Sequence, residues 1–261
     1  MGTVADNRTY YAQYDWRYGG AEWSTPWGNT RALWEYTLYP RLARYLPAGV
    51  AVEIGAGHGR ISKYLLPLCH RRLHLLDIMP GCIDACARLF ADEPKVVTTL
   101  TDGHSLRDVD DESVDLIVCF YSLVHADAET IAAYAREFRR VLRPDGVVFL
   151  HHSNAGIYYQ QDQARHDARM RLLNAYRDIT MTAAGMRRIA KDHGLRCIRQ
   201  ECVNWDVKEV LSDCFSTIVR TGAKWQGQAG EILNPGFRRE MHTAAMGSSS
   251  TRWPRSQFGR R

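Results

Sequence analysis

The sequence of 261 residues has no run of apolar residues long enough to cross a membrane. Its N-terminal residues are polar and aromatic, and they lack the charged and then apolar segments of a secretory signal. We therefore expect a soluble, cytoplasmic protein. Its seven cysteines form no Cys-x-x-Cys pair, which argues against structural zinc and favours free, buried thiols.

Two signatures of phosphate binding are also missing. No Gly-Lys-Ser or Gly-Lys-Thr triplet, which would end a Walker loop, follows the glycine-rich segment of this chain. A dinucleotide fingerprint needs its third glycine three positions after the second, and Arg60 stands there instead. Both absences argue against a site built for a nucleotide phosphate.

The glycine-rich segment runs from Val50 to Gly59. Its first half reads as a buried strand, and glycines follow at alternate positions 55, 57 and 59. The pattern after Arg60 predicts a helix whose free N–H groups point at the bound molecule. Glu53 at the strand end would repel a pyrophosphate and suits a ligand that carries positive charge. The segment predicts a small-molecule site, although a tight turn alone would also explain its glycines.

Acidic residues follow the next two apolar runs. The run Arg72–Leu76 ends in Asp77, one strand-helix-strand unit after Glu53. An acid there is suited to accept hydrogen bonds from both hydroxyls of a ribose, and it would alternatively cap a following helix. The run Lys95–Leu100 precedes Asp102, which is a natural partner for the amino group of an adenine.

The alternation of strands and helices continues through the rest of the chain. The run Asp115–His125 predicts a fourth strand, and the helix after it has one apolar face. The turn Arg143–Gly146 breaks that helix, and Val147–His152 predicts a fifth strand. Two alternating segments, Leu195–Trp205 and Asp213–Arg220, predict the last two strands.

This order of motifs resembles the class I S-adenosylmethionine-dependent methyltransferases, clearly from Val50 to Asn154 and more loosely to Gly222. The resemblance implies a doubly wound α/β fold whose seven-stranded sheet is mostly parallel, with an antiparallel last strand. In that family the glycine turn holds the methionine part of the cofactor, the acid after strand two holds the ribose, and an aspartate before strand four lies by the adenine. The residues implied at the cofactor are Glu53, Gly55, Gly57, Asp77, Ile78, Asp102, Gly103 and Tyr121.

The length predicts one catalytic domain. We expect an N-terminal arm and helix at 1–48, a core at 49–222 with an acceptor lid at 154–181 inserted after strand five, and a partly flexible tail at 223–261. Much of the net charge of +5 comes from arginines in this tail, which is a weak signal for nucleic acid. Base-directed enzymes resemble one another in an Asn/Asp-Pro-Pro-aromatic stretch, and Phe120–Leu123 lacks it. We expect neither a nucleic-acid nor a membrane partner, and the oligomeric state stays open, a homo-oligomer included.

Two segments outside the core are expected to contact the acceptor. The arm from Tyr10 to Gly28 is dense in aromatic residues interrupted by glycine and proline, which fits neither a regular helix nor a regular strand. We expect an ordered lid packed by stacking, although its rings would equally attach the arm to the core. The lid after strand five is polar, which favours a hydroxylated substrate. The predicted substrate-binding residues are Trp23, Trp27, Asn154 and Tyr158.

Histidines at strand ends are the candidate bases. Histidine, with an unperturbed pKa of about 6.5, suits removal of a hydroxyl proton. His151 and His152 point to opposite faces of their strand, and only one of them faces the pocket. We favour His152, because the polar residues after it extend over the pocket, with His125 as the second candidate. A divalent metal held by Asp127, His125 and His152 is the alternative, but strand five ends without a carboxylate, so no metal is expected.

The sequence therefore predicts transfer of a methyl group from S-adenosylmethionine to a hydroxyl of a small polar acceptor, with S-adenosylhomocysteine as the product. The arm motif Glu22–Gly28 and the strand end His151–Asn154 also look similar to bacterial methyltransferases of sugar or natural-product pathways. That similarity favours a sugar, glycoside or other natural product. The alternatives are methylation of a small amine and a cyclase-type reaction of the same cofactor.

Overall fold

The computed structural model describes residues 2–161, 177–205, 210–225 and 230–250. Within them the strands are β1 (Ala48–Ile54), β2 (Cys69–Asp77), β3 (Val96–Leu100), β4 (Val114–Cys119), β5 (Leu142–Ser153), β6 (Leu195–Val203), β7 (Asp213–Arg220) and β8 (Glu231–Asn234). The α-helices are α1 (Val4–Ala12), α2 (Thr30–Leu33), α3 (Tyr39–Leu42), α4 (Ser62–Leu65), α5 (Pro80–Leu89), α6 (Ala128–Val141), α7 (Gly156–Gln161), α8 (Ala183–Asp192) and α9 (Phe237–Ser250). A π-helical turn, Trp34–Leu38, joins α2 to α3.

The strands form a single sheet in the order β3-β2-β1-β4-β5-β7-β6-β8. Strands β3, β2, β1, β4 and β5 are parallel, and β7 is antiparallel to both of its neighbours. The direction of winding reverses between β1 and β4, and an open α/β sheet binds its ligands at the carboxyl ends of strands at such a point. This is the predicted doubly wound sheet.

The expected number of seven strands is wrong, because β8 adds an eighth. It pairs in parallel with β6, where Gln200 lies opposite Glu231 and Val203 opposite Asn234. The strand comes from the segment 223–261, which we expected to be a partly flexible tail. Four residues are too few to show an alternating pattern, so only the partner strand reveals this element.

The central strands are buried on both faces, which explains their continuous apolar runs. Successive side chains of β1 and β4 enter two different cores. Val52 and Ile117 pack on one face of the sheet, whereas Ala51 and Leu116 pack on the other. All four side chains are inaccessible to solvent. Burial of apolar surface contributes about 25 cal/mol for each Å², so the two cores stabilise both faces of the sheet.

Helix α9, the C-terminal helix of the described residues, packs against the N-terminal arm. Its first residue, Phe237, packs with a ring-centroid distance of 6.2 Å against Trp27 of the arm. Glu240 of the same helix pairs with Arg41 at 3.0 Å. No helix within the described ranges has the length and apolarity that a membrane span requires.

Candidate active site

A main cavity of about 710 Å³ lies at the carboxyl ends of the parallel strands, where the winding reverses. Several of its lining residues are among those predicted from the sequence: Trp23, Gly55, Gly57, Asp77, Ile78, Gly103 and Tyr121. Others were not predicted: Asn7, Tyr11, Trp16, Met79, Thr101, Ser122, Thr130 and Tyr134. The glycine turn, the tip of the second strand and the aromatic arm therefore share one site.

The glycine turn after β1 requires glycine for two reasons. Gly55 has φ +74° and Gly57 has φ +56°, a backbone conformation that side chains disfavour. A Cβ on Gly55 would also lie 2.1 Å from the Oγ of Ser122. The turn thus brings bare backbone to the cavity wall, where a ligand can approach it closely.

Asp77 at the end of β2 is buried and holds the turn in place. Its Oδ2 accepts a hydrogen bond of 2.9 Å from the N–H of Gly57, and its Oδ1 accepts one of 2.9 Å from the N–H of Met79. Burial raises the pKa of this carboxyl above its usual value, against the effect of these hydrogen bonds. Since a carboxylate offers about four acceptor positions, Asp77 retains capacity for ligand hydroxyls.

A smaller cavity of about 320 Å³ lies on the other side of the glycine turn. One acidic side chain, Glu53, and one basic side chain, Arg60, line it. Glu53 accepts a hydrogen bond of 2.6 Å from Ser62, and burial raises the pKa of Glu53 to about 7. Arg60 donates a hydrogen bond of 2.7 Å to Ser24, and burial lowers the pKa of Arg60 to about 10. A ligand that carries one positive and one negative charge would match the side chains of Glu53 and Arg60.

The aromatic arm, which we expected to contain no regular helix, forms short helices. Helix α1 begins with a capping box between Thr3 and Asp6, and two 3-10 helices follow at Trp16–Tyr18 and Ala21–Trp27. The rings of Trp16 and Trp23 pack edge to face at 5.4 Å. Both rings line the main cavity, so the arm supplies one of its walls.

Trp27, predicted to bind substrate, belongs instead to the protein core. It is completely buried, and its indole N–H donates a hydrogen bond of 2.8 Å to Thr37. Its ring packs against Trp205 at 5.4 Å and against Phe237. The C-terminal helix covers this side of the arm, a contact between distant segments that no local pattern indicates.

Asp102, predicted to bind adenine, does not line the main cavity. Its carboxylate accepts hydrogen bonds from the N–H groups of His104 and Ser105, at 2.9 and 2.8 Å, and it pairs with Arg107. Partial burial opposes its charge, but these contacts hold its pKa well below the usual range. Its neighbours Thr101 and Gly103 reach the cavity instead.

The two histidines of β5 point to the opposite faces from those that we predicted. His152 is completely buried, with Nε2 2.8 Å from the Oγ of Ser216 and Nδ1 2.8 Å from the carbonyl oxygen of Ser153. Burial lowers its pKa to about 4. The prediction of His152 as the base is therefore corrected, because both ring nitrogens are engaged away from the cavity. His151 faces the cavity side, with its ring 6.1 Å from that of Tyr121.

His151 belongs to a buried polar network that sequence reasoning missed. Its Nδ1 accepts a hydrogen bond of 3.2 Å from the N–H of Tyr121, which fixes the tautomer that carries its proton on Nε2. That proton is donated to Asp213 at 2.8 Å, and Arg177 pairs with the same oxygen at 2.7 Å. Burial disfavours the charge of Asp213, but Arg177 and His151 keep its pKa below the usual value. These residues are distant in sequence, so no local pattern could have joined them.

The second candidate base, His125, lies beside the main cavity. Its ring is 6.2 Å from that of Tyr11 and 6.5 Å from that of Tyr121, and both of those rings line the cavity. The side chain is nearly buried. His125 thus borders the aromatic wall of the cavity.

The two lid residues predicted to bind substrate make structural contacts. Asn154 accepts a hydrogen bond of 2.7 Å from the N–H of Ala183 and donates one of 2.9 Å to the carbonyl of Leu211. The hydroxyl of Tyr158 accepts a hydrogen bond of 2.8 Å from the N–H of Leu211. Neither residue lines the main cavity. Most of the predicted lid, residues 162–176, lies outside the described residues.

The residues considered for a metal serve other purposes. Asp127 caps helix α6, where its carboxylate accepts a hydrogen bond of 2.8 Å from the N–H of Thr130. Across the described ranges, no group of three or more histidine, cysteine, aspartate or glutamate side chains is placed to hold a metal ion.

Comparisons with known proteins agree with this geometry. Residues 51–146 match the family model described as a methyltransferase domain. A protein of Pyrococcus horikoshii OT3 is 18% identical with a TM-score of 0.58, and the match covers 81% of this chain and 98% of that one. The 1,6-didemethyltoxoflavin-N1-methyltransferase of Burkholderia thailandensis, solved with its substrate and S-adenosylhomocysteine, is 18% identical with a TM-score of 0.56, over 84% of this chain and 88% of that one.

A third similar structure, an S-adenosylmethionine-dependent methyltransferase of Leishmania major, is 16% identical with a TM-score of 0.52, over 72% of this chain and 71% of that one. A search of the curated proteins finds no match. At such identities these structures show a shared fold. The match of residues 51–146 to a methyltransferase domain supports an enzyme of the methyltransferase type.

Proposed function

We propose that this enzyme transfers the methyl group of S-adenosylmethionine to a hydroxyl of a small acceptor that binds beneath the aromatic arm. One observation carries the proposal: the glycine turn, Asp77 and the rings of Trp16 and Trp23 line a single cavity. The first two features suit an adenosine and its attached chain. The rings suit the sulfonium, because aromatic faces attract cations.

The adenosine end of the cofactor is assigned to the tips of β2 and β3. Asp77 accepts hydrogen bonds from the ribose hydroxyls with its remaining lone pairs. The adenine lies between the backbone at Thr101 and Gly103 and the ring of Tyr134, which all line the cavity. Asp102 supports this turn from outside and does not contact the base.

The amino-acid end of the cofactor is assigned to the smaller cavity. Its ammonium pairs with Glu53 and its carboxylate pairs with Arg60, two oppositely charged side chains that line this space. Gly55 and Gly57 line both cavities, so the ligand crosses the turn over bare backbone. Tyr121 also lines both cavities, which sets it near the reacting methyl group.

Methyl transfer is a displacement at the sulfonium carbon, so the enzyme chiefly aligns the two reactants and excludes water. The flat faces of Tyr11, Trp16 and Trp23 favour an acceptor with a flat apolar face, such as a sugar ring or a planar natural product. A hydroxyl must lose its proton as the new bond forms. His125, next to the rings of Tyr11 and Tyr121, is the proposed base.

A small amine is a second candidate acceptor, favoured by Glu22. One carboxylate oxygen of Glu22 accepts a hydrogen bond from Tyr14, and the other is buried without a hydrogen-bond partner among the described residues. Tyr14 packs at 5.1 Å against the ring of Trp23, which lines the cavity. A carboxylate beside aromatic rings attracts an ammonium group.

Calorimetry and mass spectrometry test the proposal in two steps. S-adenosylhomocysteine should bind to the purified protein and NAD should not; the reverse result would overturn the cofactor assignment. Candidate metabolites are then incubated with S-adenosylmethionine labelled in its methyl group. Acceptor pairs that differ only in a hydroxyl or an amino group decide between the two candidates, because only the correct member gains the labelled mass.

A further inference from the structure

A second large cavity lies on the face formed by β5, β7 and β6, beneath α3 and the residues after it. Its volume is about 970 Å³, and we call it the arginine cavity after Arg41, Arg44 and Arg199 in its lining. Among the described residues, it shares none of its lining with the main cavity or the smaller cavity. The arginine cavity is therefore a separate space from the methyl-transfer site.

One of its arginines is already neutralised. Arg41 pairs with Glu201 through two parallel hydrogen bonds, from Nε to Oε2 at 2.9 Å and from Nη2 to Oε1 at 2.7 Å. Glu201 also accepts a hydrogen bond of 2.8 Å from Asn234, and Arg41 pairs in addition with Glu240. The only carboxylate in the described lining of the cavity is thus fully engaged with Arg41.

The other two arginines leave an excess of positive charge. The guanidinium of Arg44 lies over the rings of Tyr45 and Trp225, at 5.3 and 5.4 Å, and it has no carboxylate partner in the part of the chain that the structure describes. Arg199 lies 3.9 Å from Glu201, and 47% of its side chain is exposed. Stacking fixes the plane of a guanidinium and leaves its edge N–H groups to meet an acceptor.

The floor of the arginine cavity is apolar with one hydroxyl. Alternate side chains of neighbouring strands supply it: Phe149 lies opposite Thr217, and Phe215 is two residues before Thr217 on the same face. Tyr45 lines the rim, and its hydroxyl can donate a hydrogen bond to a ligand. The floor of the cavity contains aromatic rings and its rim carries arginines. A flat molecule with one carboxylate would match this arrangement.

We propose that the arginine cavity binds an aromatic carboxylate, independently of the methyl-transfer site. Arg44 and Arg199 hold the carboxylate, because the planar fork of a guanidinium matches both of its oxygens. The ring of Phe149 and the side chains of Tyr45 and Ile198 contact the aromatic body. The occupant is a small molecule, since the cavity combines an apolar floor with a charged rim.

Titration calorimetry with 2-naphthoate tests this proposal on the full chain. The wild type should bind one equivalent, and Arg44→Gln combined with Arg199→Gln should weaken the affinity roughly tenfold or more, since each charge-assisted hydrogen bond is lost. Arg31→Gln, which removes an exposed arginine that pairs with Glu35 elsewhere, is the matched control and should bind like the wild type. Saturating S-adenosylhomocysteine should leave the affinity for 2-naphthoate unchanged.

A neutral probe makes the test independent of the variants. The amide 2-naphthamide has the same shape as 2-naphthoate without its charge, and it should bind the wild type at least about tenfold more weakly. Absence of saturable 2-naphthoate binding, equal affinity for the two probes, or equal affinity of the double variant and the control would each overturn the proposal. Displacement of 2-naphthoate by S-adenosylhomocysteine would also overturn it, because the probe would then occupy the cofactor site.

Discussion

The backbone N–H of Tyr121 donates a hydrogen bond of 3.2 Å to Nδ1 of His151. Tyr121 lines the main cavity with φ +60°, a left-handed conformation that a side chain rarely adopts. A non-glycine residue in this region costs about 1–3 kcal/mol and persists only where its surroundings impose it. His151, held in turn by Asp213, is one of the groups that surround this backbone. His151 is thus a positioning residue for the cavity wall.

Removal of this acceptor should reduce methyl transfer. We expect His151→Leu to lower kcat about tenfold or more, because Tyr121 loses the hydrogen bond that fixes its backbone. His151→Asn places an amide oxygen near the position of Nδ1 and should restore part of the rate. The measurement is kcat and KM with the acceptor identified by labelling, together with the affinity for S-adenosylhomocysteine. Equal kcat for the Leu variant and the wild type would contradict the positioning role.

Two aspartates of the cofactor region should behave differently. Asp77→Asn should weaken S-adenosylhomocysteine binding about tenfold or more, since a charged acceptor for the ribose is lost. Asp102→Asn is the matched substitution outside the cavity, and we expect its affinity to stay within about twofold of the wild type. Calorimetry of both variants checks this. A large loss in the Asp102 variant would restore the adenine contact predicted from sequence.

The glycine turn should not tolerate a methyl group. Gly55→Ala should prevent cofactor binding and destabilise the fold by about 1–3 kcal/mol, because the new Cβ meets Ser122 at 2.1 Å in a left-handed backbone. Gly81→Ala in helix α5 is the control, since a Cβ there meets nothing within 4 Å. Alanine in a helix should stabilise this control by about 0.5–1 kcal/mol. Thermal unfolding and calorimetry report both effects, and a Gly55→Ala variant with wild-type binding would contradict the clash.

The stability of the protein without cofactor should depend on pH through Glu53. Burial raises its pKa to about 7 from the usual value of 4.5, so the folded protein retains a proton that the unfolded chain releases. This contribution is complete below pH 4.5 and is lost as the pH rises through 7. Glu53→Gln, which stays neutral, should remove this decline. Urea titrations between pH 4.5 and 8 measure it, and parallel pH profiles for both proteins would argue against a raised pKa.

Substitution of His125 should affect the rate of methyl transfer, whereas substitution of His152 should affect the stability of the fold. His125→Gln should lower the rate of transfer to a hydroxyl about 100-fold, while cofactor binding persists. His152→Gln should reduce stability with little change in rate, because His152 bonds to Ser216 and Ser153 away from the cavity. Initial rates across pH, with unfolding curves for both variants, measure this. If the His152→Gln variant has a much lower rate of transfer and the stability of the wild type, His152 is the base after all.

The sequence by itself determined the order of the first seven strands and the position of the glycine turn. Each inference rested on contiguous residues: the apolar run before Gly55, the glycines at alternate positions, and the acid that ends β2. Such patterns are local, because burial on both faces and left-handed turns constrain each residue type where it stands. The predicted strands and the position of Asp77 at the main cavity follow from this.

Only the tertiary structure decided which side chains reach the cavity. His151 and His152 differ by one position, and the register of β5 against β7 alone sets the face of each. Trp27 is buried because the C-terminal helix covers it, and Asp213 meets His151 across 62 positions of sequence. The eighth strand is held in the sheet by its hydrogen bonds to β6. In each case the deciding contact joins distant segments, and no periodicity within either segment encodes it.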